Sequence, residues 1–259
     1  DQFEPTLLEL IDDLLPGEQK TPVLICGMAG ARQGWVEAPY VPVPCAPVGG
    51  PAVAVPTRAN RLNVRILPGL AQSDPADVMR GEETQIAGVL ANEPDFNGAI
   101  CLPGTHAKWV RVEEGKVTRF RTMMTGELFA LLGQQSVLRH AVDDGWNEDA
   151  FDEGIAAAVS HPEGLLADLF SIRARSLLSD TEPGAGRARL SGLLIGSELA
   201  AARAYWQNGP VIILGDPKVS HLYETALGWL GGQARAGDAT QLTLAGLSAA
   251  HWRMEWGTT

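Results

Sequence analysis

Residues Cys101–Leu132, CLPGTHAKWVRVEEGKVTRFRTMMTGELFALL, alternate between strand-like and turn-like segments before a helical run begins. An apolar run stops at Pro103–His106, and alternating residues then resume, turn at Glu113–Lys116 and alternate again. Alternation with a period of two is typical of strands, and the Pro-Gly and Glu-Glu-Gly sequences are typical of turns. The stretch therefore predicts antiparallel strands joined by tight turns and followed by a helix from about Gly126.

The first of these turns has the composition of a phosphate-binding loop. Gly104 and Thr105 offer backbone N–H groups and a hydroxyl with little side-chain obstruction, and Lys108 adds a positive charge. An ordinary hairpin with a solvated lysine would have the same residues, so this motif alone does not assign a function.

Outward from this stretch, strands precede helices in both halves of the chain. Predicted helices cover residues 3–15, about 78–90, from 126, 190–206, 220–231 and near 238–249, and predicted strands cover 22–26, 63–70, 98–102 and 210–214. This order predicts an α/β fold in which mixed sheets are flanked by helices. Residues 39–56 are rich in Pro and Gly, which predicts an extended surface loop.

Composition limits the classes of partner and location. The 259 residues include 20 Lys and Arg against 31 Asp and Glu, a formal net charge of -11 that disfavours nucleic acid as a partner. The three cysteines fit reduced thiols in a cytoplasmic protein. No apolar run approaches the ~20 residues of a membrane span, so no membrane association is expected. The length favours two lobes.

An acidic helix start lies upstream, in VMRGEETQIAGVL. Gly81 precedes Glu82 and Glu83 in the first turn, where the helix dipole favours acidic residues whatever the function. If this helix start faces Gly104, a carboxylate lies opposite a phosphate loop and can accept a proton from an attacking hydroxyl. Both interpretations stay open from these residues alone.

Two further glycine-containing motifs follow apolar strands. In CGMAGARQGWVEAPY, the glycines permit close approach to a small molecule, Arg32 can pair with a carboxylate and Trp35 can form an apolar wall. In VIILGDPKVSHLYETAL, Gly215 and the helix start can contact a base and ribose. A core Trp35 and a simple strand–helix connection are the alternatives, and the absence of G-x-G-x-x-G disfavours a dehydrogenase.

Together, these motifs resemble sugar kinases of the actin/hexokinase/Hsp70 superfamily, and most closely the 2-dehydro-3-deoxygalactonokinase family. The resemblance is carried by CGMAGARQGWVEAPYVPVP, DVMRGEETQIAGVL, CLPGTHAKWVRV, TGELFALL, FSIRARSLL and LSGLLIGSEL, which span most of residues 22–200. It implies a two-lobed, ribonuclease-H-like fold with five-stranded mixed sheets and an interlobe cleft. It also implies ATP-dependent phosphorylation of 2-dehydro-3-deoxy-D-galactonate at the 6-hydroxyl, with ATP and Mg²⁺ as cofactors and a homodimer as a possible assembly.

The resemblance also implies roles for individual residues. The sugar-acid site would contain Gly27, Met28, Arg32, Gln33, Gly34 and Trp35. The phosphate loop would contain Gly104, Thr105, His106 and Lys108, and the adenosine loop Gly215 and Asp216. Distantly similar kinases carry a catalytic Asp after a Gly at the corresponding helix start, so the resemblance implies Glu82 or Glu83 as the base.

One departure from the family concerns the first phosphate hairpin, Asp-Trp-Gly-Thr-Thr, which is absent from the beginning of this chain. The last residues, Glu255-Trp256-Gly257-Thr258-Thr259, resemble it. We therefore expect 251–259 to form the missing first strand and loop of a sugar-acid-binding lobe at 1–97, with the nucleotide-binding lobe at 98–250. Glu255 would then orient hydrated Mg²⁺, and Gly257, Thr258 and Thr259 would contact phosphate. An ordinary C-terminal tail is the alternative.

Three other functions are compatible with parts of this pattern. A non-catalytic sugar-acid or nucleotide-binding protein would keep the fold without turnover, and a sugar-phosphate hydrolase would release phosphate without ATP. A sugar-responsive repressor is disfavoured because no basic helix-turn-helix segment is present.

Overall fold

The computed structural model describes residues 2–17, 19–179, 182–254 and 256. Its α-helices are α1 (Phe3–Ile11), α2 (Glu82–Asn92), α3 (Thr125–Gln134), α4 (Glu148–Ser160), α5 (Leu165–Leu178), α6 (Ala185–Ala201), α7 (Arg203–Trp206), α8 (Pro217–Trp229) and α9 (Ala239–Arg253). Its strands are β1 (Thr21–Ile25), β2 (Tyr40–Pro42), β3 (Val53–Val55), β4 (Leu62–Ile66), β5 (Gly69–Ser73), β6 (Ala76–Met79), β7 (Gly98–Leu102), β8 (Ala107–Glu113), β9 (Lys116–Met123), β10 (Pro210–Leu214) and β11 (Gln233–Gly237).

The chain divides into two compact units. Unit 1 contains the described residues of 1–97, 112–120 and 238–259, and unit 2 contains 98–111 and 121–237. The sheets combine parallel and antiparallel pairs, so the predicted mixed α/β class is confirmed. None of the described helices is both long and apolar enough to cross a membrane.

Unit 1 has two three-stranded sheets, with strand orders β1-β4-β3 and β2-β5-β6, where a five-stranded sheet was expected. In the first, β1 runs parallel to β4 and β3 antiparallel to it. Val64 and Ile66 of β4 are buried, and the apolar residues of α1 and β1 pack around them. The alternation of β4 explains this burial, because successive side chains point to opposite faces.

Two predictions for unit 1 are wrong. The Pro- and Gly-rich stretch at 39–56 contains the short strands β2 and β3, which bring their few β-branched residues into register with neighbouring strands. The helix predicted from Val78 begins only at Glu82, because 76–79 form β6 and pair antiparallel with β5. The positive φ of Gly81, 111°, separates that strand from α2.

The close packing of α9 on α2 completes unit 1. A Cβ atom on Gly88 would lie 1.9 Å from the carbonyl oxygen of Leu242, and one on Gly246 would lie 1.9 Å from that of Thr84. Only glycine allows this approach of two backbones. The final helix is as predicted, but it continues through His251–Arg253, so the strand expected from residue 251 is wrong for these residues. Residues 255 and 257–259 lie outside the described residues.

The expected five-stranded sheet has the order β11-β10-β7-β8-β9; most of its residues belong to unit 2, and residues 112–120 of β8, β9 and their turn are counted with unit 1. Strand β10 runs parallel to both β11 and β7, and its buried residues pack against Trp109, Tyr223 and helix α6. Strands β8 and β9 are neighbours joined by Glu114 and Gly115, whose φ values of 50° and 72° fit a two-residue hairpin turn.

Candidate active site

The turn between β7 and β8 is open to a ligand on one side and supported by α3 on the other. A Cβ atom on Gly104 would meet nothing within 4 Å, whereas one on Gly126 would lie 2.3 Å from the carbonyl oxygen of Gly104. The backbone N–H of Glu127 donates to the carbonyl oxygen of Thr105 at 2.9 Å. The start of α3 therefore fixes the conformation of this turn and leaves Gly104 unobstructed.

The basic side chains of the turn, His106 and Lys108, both contact other protein groups. His106 Nε2 lies 2.6 Å from Glu127 Oε2, which ties the turn to α3 a second time. Lys108 is only 5% exposed, and its Nζ lies 3.4 Å from the carbonyl oxygen of His106. The alternative of an ordinary hairpin with a solvated lysine is therefore wrong for Lys108.

Gly104 lines a cavity of about 740 Å³ that lies wholly within unit 2. This volume is in the range of small-molecule sites. The wall combines the turn, α3, residues 144–148, α6 and the start of α8; it includes Gly104, Thr125, Phe129, Trp146, Arg187, Leu194, Asp216, Leu222 and Tyr223. Eight of the lining residues are apolar or aromatic and eight are polar or charged, so the wall offers both apolar surface and groups that can orient a ligand.

The Gly215–Asp216 loop adjoins the phosphate-loop candidate. A Cβ atom on Gly215 would lie 3.1 Å from the carbonyl oxygen of Pro103, so the two loops approach closely. Asp216 caps α8, because its carboxylate accepts hydrogen bonds from the amides of Lys218 and Val219. Gly104 and Asp216 thus line one cavity, whereas Thr105, His106, Lys108 and Gly215 are not among its lining residues in the described chain.

A buried carboxylate lies behind this cavity, and the sequence patterns did not single it out. Glu198 of α6 is 4% exposed and accepts hydrogen bonds from Trp109 Nε1 at 2.8 Å, from the Tyr223 hydroxyl at 2.9 Å and from the Thr125 hydroxyl. Burial raises its pKa, and the three donors oppose that rise. A glutamate within the apolar run LSGLLIGSEL was the available signal.

In unit 1, the two glutamates at the start of α2 organise the turn that precedes them. Glu82 Oε2 accepts from the Arg80 amide at 3.0 Å, and Glu83 Oε2 accepts from the Gly81 amide at 2.7 Å. Glu83 is fully buried, and burial raises its pKa from the ordinary 4.5 to about 7. A carboxyl group with this pKa can exchange a proton near neutral pH.

The loop Gly27–Trp35 lies against the same turn. Gly27 has a φ of 80°, and its backbone touches that of Gly81. Gly27–Gly30 form a 3₁₀ turn, and a Cβ atom on Gly34 would lie 2.4 Å from the carbonyl oxygen of Ala29. The glycines at 27 and 34 are therefore required by the compact fold of the loop as well as available to a ligand.

The side chains of this loop differ in exposure. The Arg32 side chain is 81% exposed, with its Nε 3.8 Å from Glu37 Oε1, and Met28 and Gln33 are also exposed. Trp35 instead stacks on Phe3, with ring centroids 6.0 Å apart, and packs against the core of unit 1. The arrangement leaves Arg32 available to an anion and fits the core interpretation of Trp35.

A second cation, Arg80, was not predicted and lies beneath the loop. Its Nη2 donates to the carbonyl oxygen of Ala38 at 2.8 Å, and its guanidinium stacks over the Tyr40 ring at 4.3 Å. A Cβ atom on Gly30 would lie 2.8 Å from Nη1. Arg80 immediately precedes Gly81. Its side chain therefore links the turn at Gly81 to Ala38 and lies close to Gly30 of the loop.

The site residues predicted from the sequence fall into separate units. Glu82, Glu83 and the Gly27–Trp35 loop belong to unit 1, whereas Gly104 and Asp216 belong to unit 2. The expected facing of Glu82 or Glu83 and Gly104 stays a prediction. Within the described chain, no group of three or more His, Cys, Asp or Glu side chains could hold a metal ion. Glu255, Gly257, Thr258 and Thr259 lie outside that part.

Comparisons with known proteins agree on one family. Residues 1–250 match a family model described as 2-keto-3-deoxy-galactonokinase. A candidate 2-dehydro-3-deoxygalactonokinase of Rhizobium meliloti (strain 1021) is 44% identical over 238 residues, which are 88% of this chain and 77% of that protein. The 2-dehydro-3-deoxygalactonokinase of Escherichia coli (strain K12) is 39% identical over 193 residues, 73% of this chain and 63% of that protein.

A solved structure gives the same result. The crystal structure of a candidate 2-dehydro-3-deoxygalactonokinase from Sinorhizobium meliloti superposes with a TM-score of 0.89 at 41% sequence identity. The superposition covers 99% of this chain and 85% of that one.

Proposed function

This chain belongs to the 2-keto-3-deoxy-galactonokinase family, and from that premise we propose that it transfers the γ-phosphoryl group of ATP to the 6-hydroxyl of 2-dehydro-3-deoxy-D-galactonate. The structural observation that carries the proposal is the cavity of unit 2, where the unobstructed Gly104 and the start of α8 line one wall. The alternative of a non-catalytic binding protein is not favoured by the family match.

The unit 2 cavity is the proposed ATP site. The amides near Gly104 are suited to the phosphates, because no side chain obstructs them and α3 holds the turn. The base and ribose would lie towards Phe129, Trp146 and Leu222, whose apolar surfaces suit an aromatic base. Asp216 Oδ1 accepts both hydrogen bonds of the α8 cap, so the ribose would contact the other carboxylate oxygen, Oδ2.

The Gly27–Trp35 loop of unit 1 is the proposed sugar-acid site. The chain carries a net charge of -11, so a negatively charged substrate needs a local cation to bind. Arg32 is the exposed cation of this loop, and its long contact with Glu37 leaves donors available for a carboxylate. Arg80 supports the loop from below through Ala38.

Glu83 is the proposed base. An ideal base has a pKa close to the working pH, and burial brings the pKa of Glu83 to about 7. In the proposed step the substrate O6 forms a bond to the γ-phosphorus, the bond from that phosphorus to the bridging oxygen of ADP breaks, and the O6 proton passes to Glu83. Because Glu83 is fully buried, the start of α2 must open to the substrate for this transfer.

Mg²⁺ is expected as a companion of ATP, because this ion is usually held by one or two carboxylates and the nucleotide phosphates. The described residues do not contain a cluster of three or more potential ligands. No protein ligand for the ion is therefore assigned among these residues. The two-lobed ribonuclease-H-like fold, the cytoplasmic location and the homodimer stay predictions that follow from the resemblance.

An ADP-release assay tests the proposed function. The protein is incubated with ATP and each member of a panel of 2-dehydro-3-deoxy aldonates, and ADP and phosphorylated sugar acid are quantified together. We expect equal amounts of both products with the galactonate-derived substrate and little ADP without it. ATP binding without product would support the non-catalytic alternative, and phosphate release from a sugar phosphate without ATP would support a hydrolase.

A further inference from the structure

We propose that Glu198 is a positioning residue for ATP binding: its carboxylate fixes the Thr125 hydroxyl at the wall of the unit 2 cavity. The inference rests on the proposed function, because it assumes that this cavity binds ATP. Nothing in the family resemblance assigns a role to either residue, and Glu198 acts only through its partners.

The geometry supplies the first argument. Glu198 lies in α6, and its three donors come from three other elements: Trp109 from β8, Thr125 from the start of α3 and Tyr223 from α8. Each of these elements also borders or follows a loop of the cavity. The Glu198 carboxylate thus links α3, which supports the Gly104 turn, to α8, which begins directly after Asp216.

The second argument concerns the cost of burying this group. A carboxylate removed from water is strongly unfavourable unless donors replace the lost hydration. Glu198 is almost completely buried and receives three hydrogen bonds, two of them from residues that line the cavity. Replacing Glu198 alone by an apolar side chain would leave its three buried donors without this acceptor, so the carboxylate holds all three groups in place.

The third argument is the direction of the Thr125 hydroxyl. A hydroxyl has one proton, and that of Thr125 is donated to Glu198, so its oxygen can only accept a further hydrogen bond. A ligand atom that contacts this oxygen must therefore be a donor, such as a ribose hydroxyl, an amino group or a bound water. Unprotonated phosphate oxygens are disfavoured there, so Glu198 sets the polarity of this part of the wall.

Three variants test the inference. Glu198→Gln keeps the volume but replaces one acceptor oxygen by a donor, and Thr125→Val removes the oriented hydroxyl while keeping the shape. Thr125→Ser keeps the hydroxyl. The KM values for ATP and for the sugar acid are measured, together with the Kd for ATP by calorimetry.

We expect Glu198→Gln and Thr125→Val each to raise the KM and Kd for ATP about tenfold, the loss of roughly one hydrogen bond. The KM for the sugar acid should stay within about twofold of the wild-type value. Thr125→Ser keeps the hydroxyl and should bind ATP about as tightly as the wild type. The double variant should bind ATP about as weakly as either single variant, because both changes interrupt one connection.

Trp206→Phe is the matched control. Trp206 is a buried tryptophan of the same core, and its Nε1 donates to the carbonyl oxygen of Leu199, the residue next to Glu198, at 2.8 Å. This variant should lower the melting temperature without raising the Kd for ATP. An equal rise in Kd in Trp206→Phe, or a Kd within about twofold of wild type in both Glu198→Gln and Thr125→Val, would overturn the inference.

The outcomes also separate this inference from the proposed function. If Glu198→Gln does not fold, the pair Thr125→Val and Thr125→Ser decides the matter. If the wild type binds ATP but releases no ADP with any sugar acid, the proposed function fails while the Kd comparison still tests Glu198. If the wild type does not bind ATP, both fail.

Discussion

Gly27 and Gly81 bring two distant segments of unit 1 into backbone contact: a Cβ atom on Gly81 would lie 3.3 Å from the Cα atom of Gly27. Both residues have positive φ values, 80° and 111°, which glycine adopts without strain. No side chain separates the two backbones, so the Gly27–Trp35 loop adjoins the helix start that carries Glu82 and Glu83. The proposed sugar-acid loop and the proposed base therefore lie next to each other in unit 1.

The first prediction concerns the base. Glu83→Gln should lower kcat by about 10²–10⁴-fold, the usual contribution of a positioned general base, with little change in the KM for ATP. The amide keeps an oxygen that can accept from the Gly81 amide, so the turn should survive. Steady-state kinetics with both substrates varied separate the two parameters.

Glu82→Gln is the matched control for this experiment. Glu82 accepts from the neighbouring Arg80 amide on the same helix start, so it shares the structural role of Glu83. We expect its kcat to stay within about tenfold of wild type. A larger loss in Glu82→Gln than in Glu83→Gln would transfer the role of base to Glu82, and full activity in both variants would remove both residues from proton transfer.

The second prediction concerns stability against pH. The pKa of Glu83 rises from 4.5 to about 7 on folding, so the folded state binds the proton more tightly and Glu83 lowers the free energy of unfolding as pH rises through this interval. The contribution is about 3 kcal/mol by pH 8. Glu83→Gln cannot ionise and should gain stability relative to wild type between pH 5 and pH 8.

Urea unfolding at several pH values measures this difference. The variant should be closest to wild type, or less stable, at pH 5 and relatively most stable at pH 8, although its kcat is reduced. A difference in unfolding free energy that does not change with pH would show that Glu83 has the same pKa in the folded and unfolded states.

The third prediction separates ligand contact from folding at Gly104. A Cβ atom at this position meets nothing within 4 Å, so Gly104→Ala should leave the melting temperature within a few degrees of wild type. The added methyl group would obstruct close approach of a phosphate, and we expect the KM for ATP to rise about tenfold or more.

Gly228→Ala provides the comparison for Gly104→Ala. Gly228 lies in α8, and a Cβ atom there also meets nothing within 4 Å. This change should leave the KM for ATP unaffected and can raise stability by up to about 1 kcal/mol through the higher helix propensity of alanine. An unchanged KM for ATP in Gly104→Ala would remove Gly104 from the phosphate site.

The fourth prediction concerns Arg32. Its side chain is largely exposed and its nearest carboxylate is 3.8 Å away, so Arg32→Ala should change stability by less than about 0.5 kcal/mol. The loss of a charge-assisted contact should weaken sugar-acid binding by about 1.5–3 kcal/mol, or roughly 10–150-fold in KM. Arg58→Ala removes the same charge from an exposed position of unit 1 and should have no such effect. Equal KM values in the two variants would refute the assignment.

The sequence indicated β8, β9 and β10 of the five-stranded sheet more accurately than the elements of residues 39–92. The alternation in residues 107–123 and the apolar run before Asp216 correspond to β8, β9 and β10, because strand period and turn chemistry are local properties. The helix expected from Val78 failed because β6 depends on pairing with β5. Such pairing is a tertiary property that the composition of 76–79 does not show.

Candidate site residues show the same division. Glycines after a strand or before a helix, and acidic residues in the first turn of a helix, can be recognised in the sequence. These signals indicated Gly27, Gly81 and Glu83. Glu198 and Arg80 were missed because their importance arises from burial and from partners far along the chain, such as Trp109 and Ala38. A polar residue in an apolar run is a weak signal until its contacts are known.

The packing of α9 on α2 has a consequence for biosynthesis. Unit 1 includes segments that precede unit 2 in the sequence and segments that follow it. The close contacts of Gly88 with α9 and of Gly246 with α2 can form only when α9 has left the ribosome. Domains generally fold as units while translation proceeds. Every residue that lines the unit 2 cavity emerges before α9, so the nascent chain can complete this cavity before the helix start that carries Glu83 has its final support.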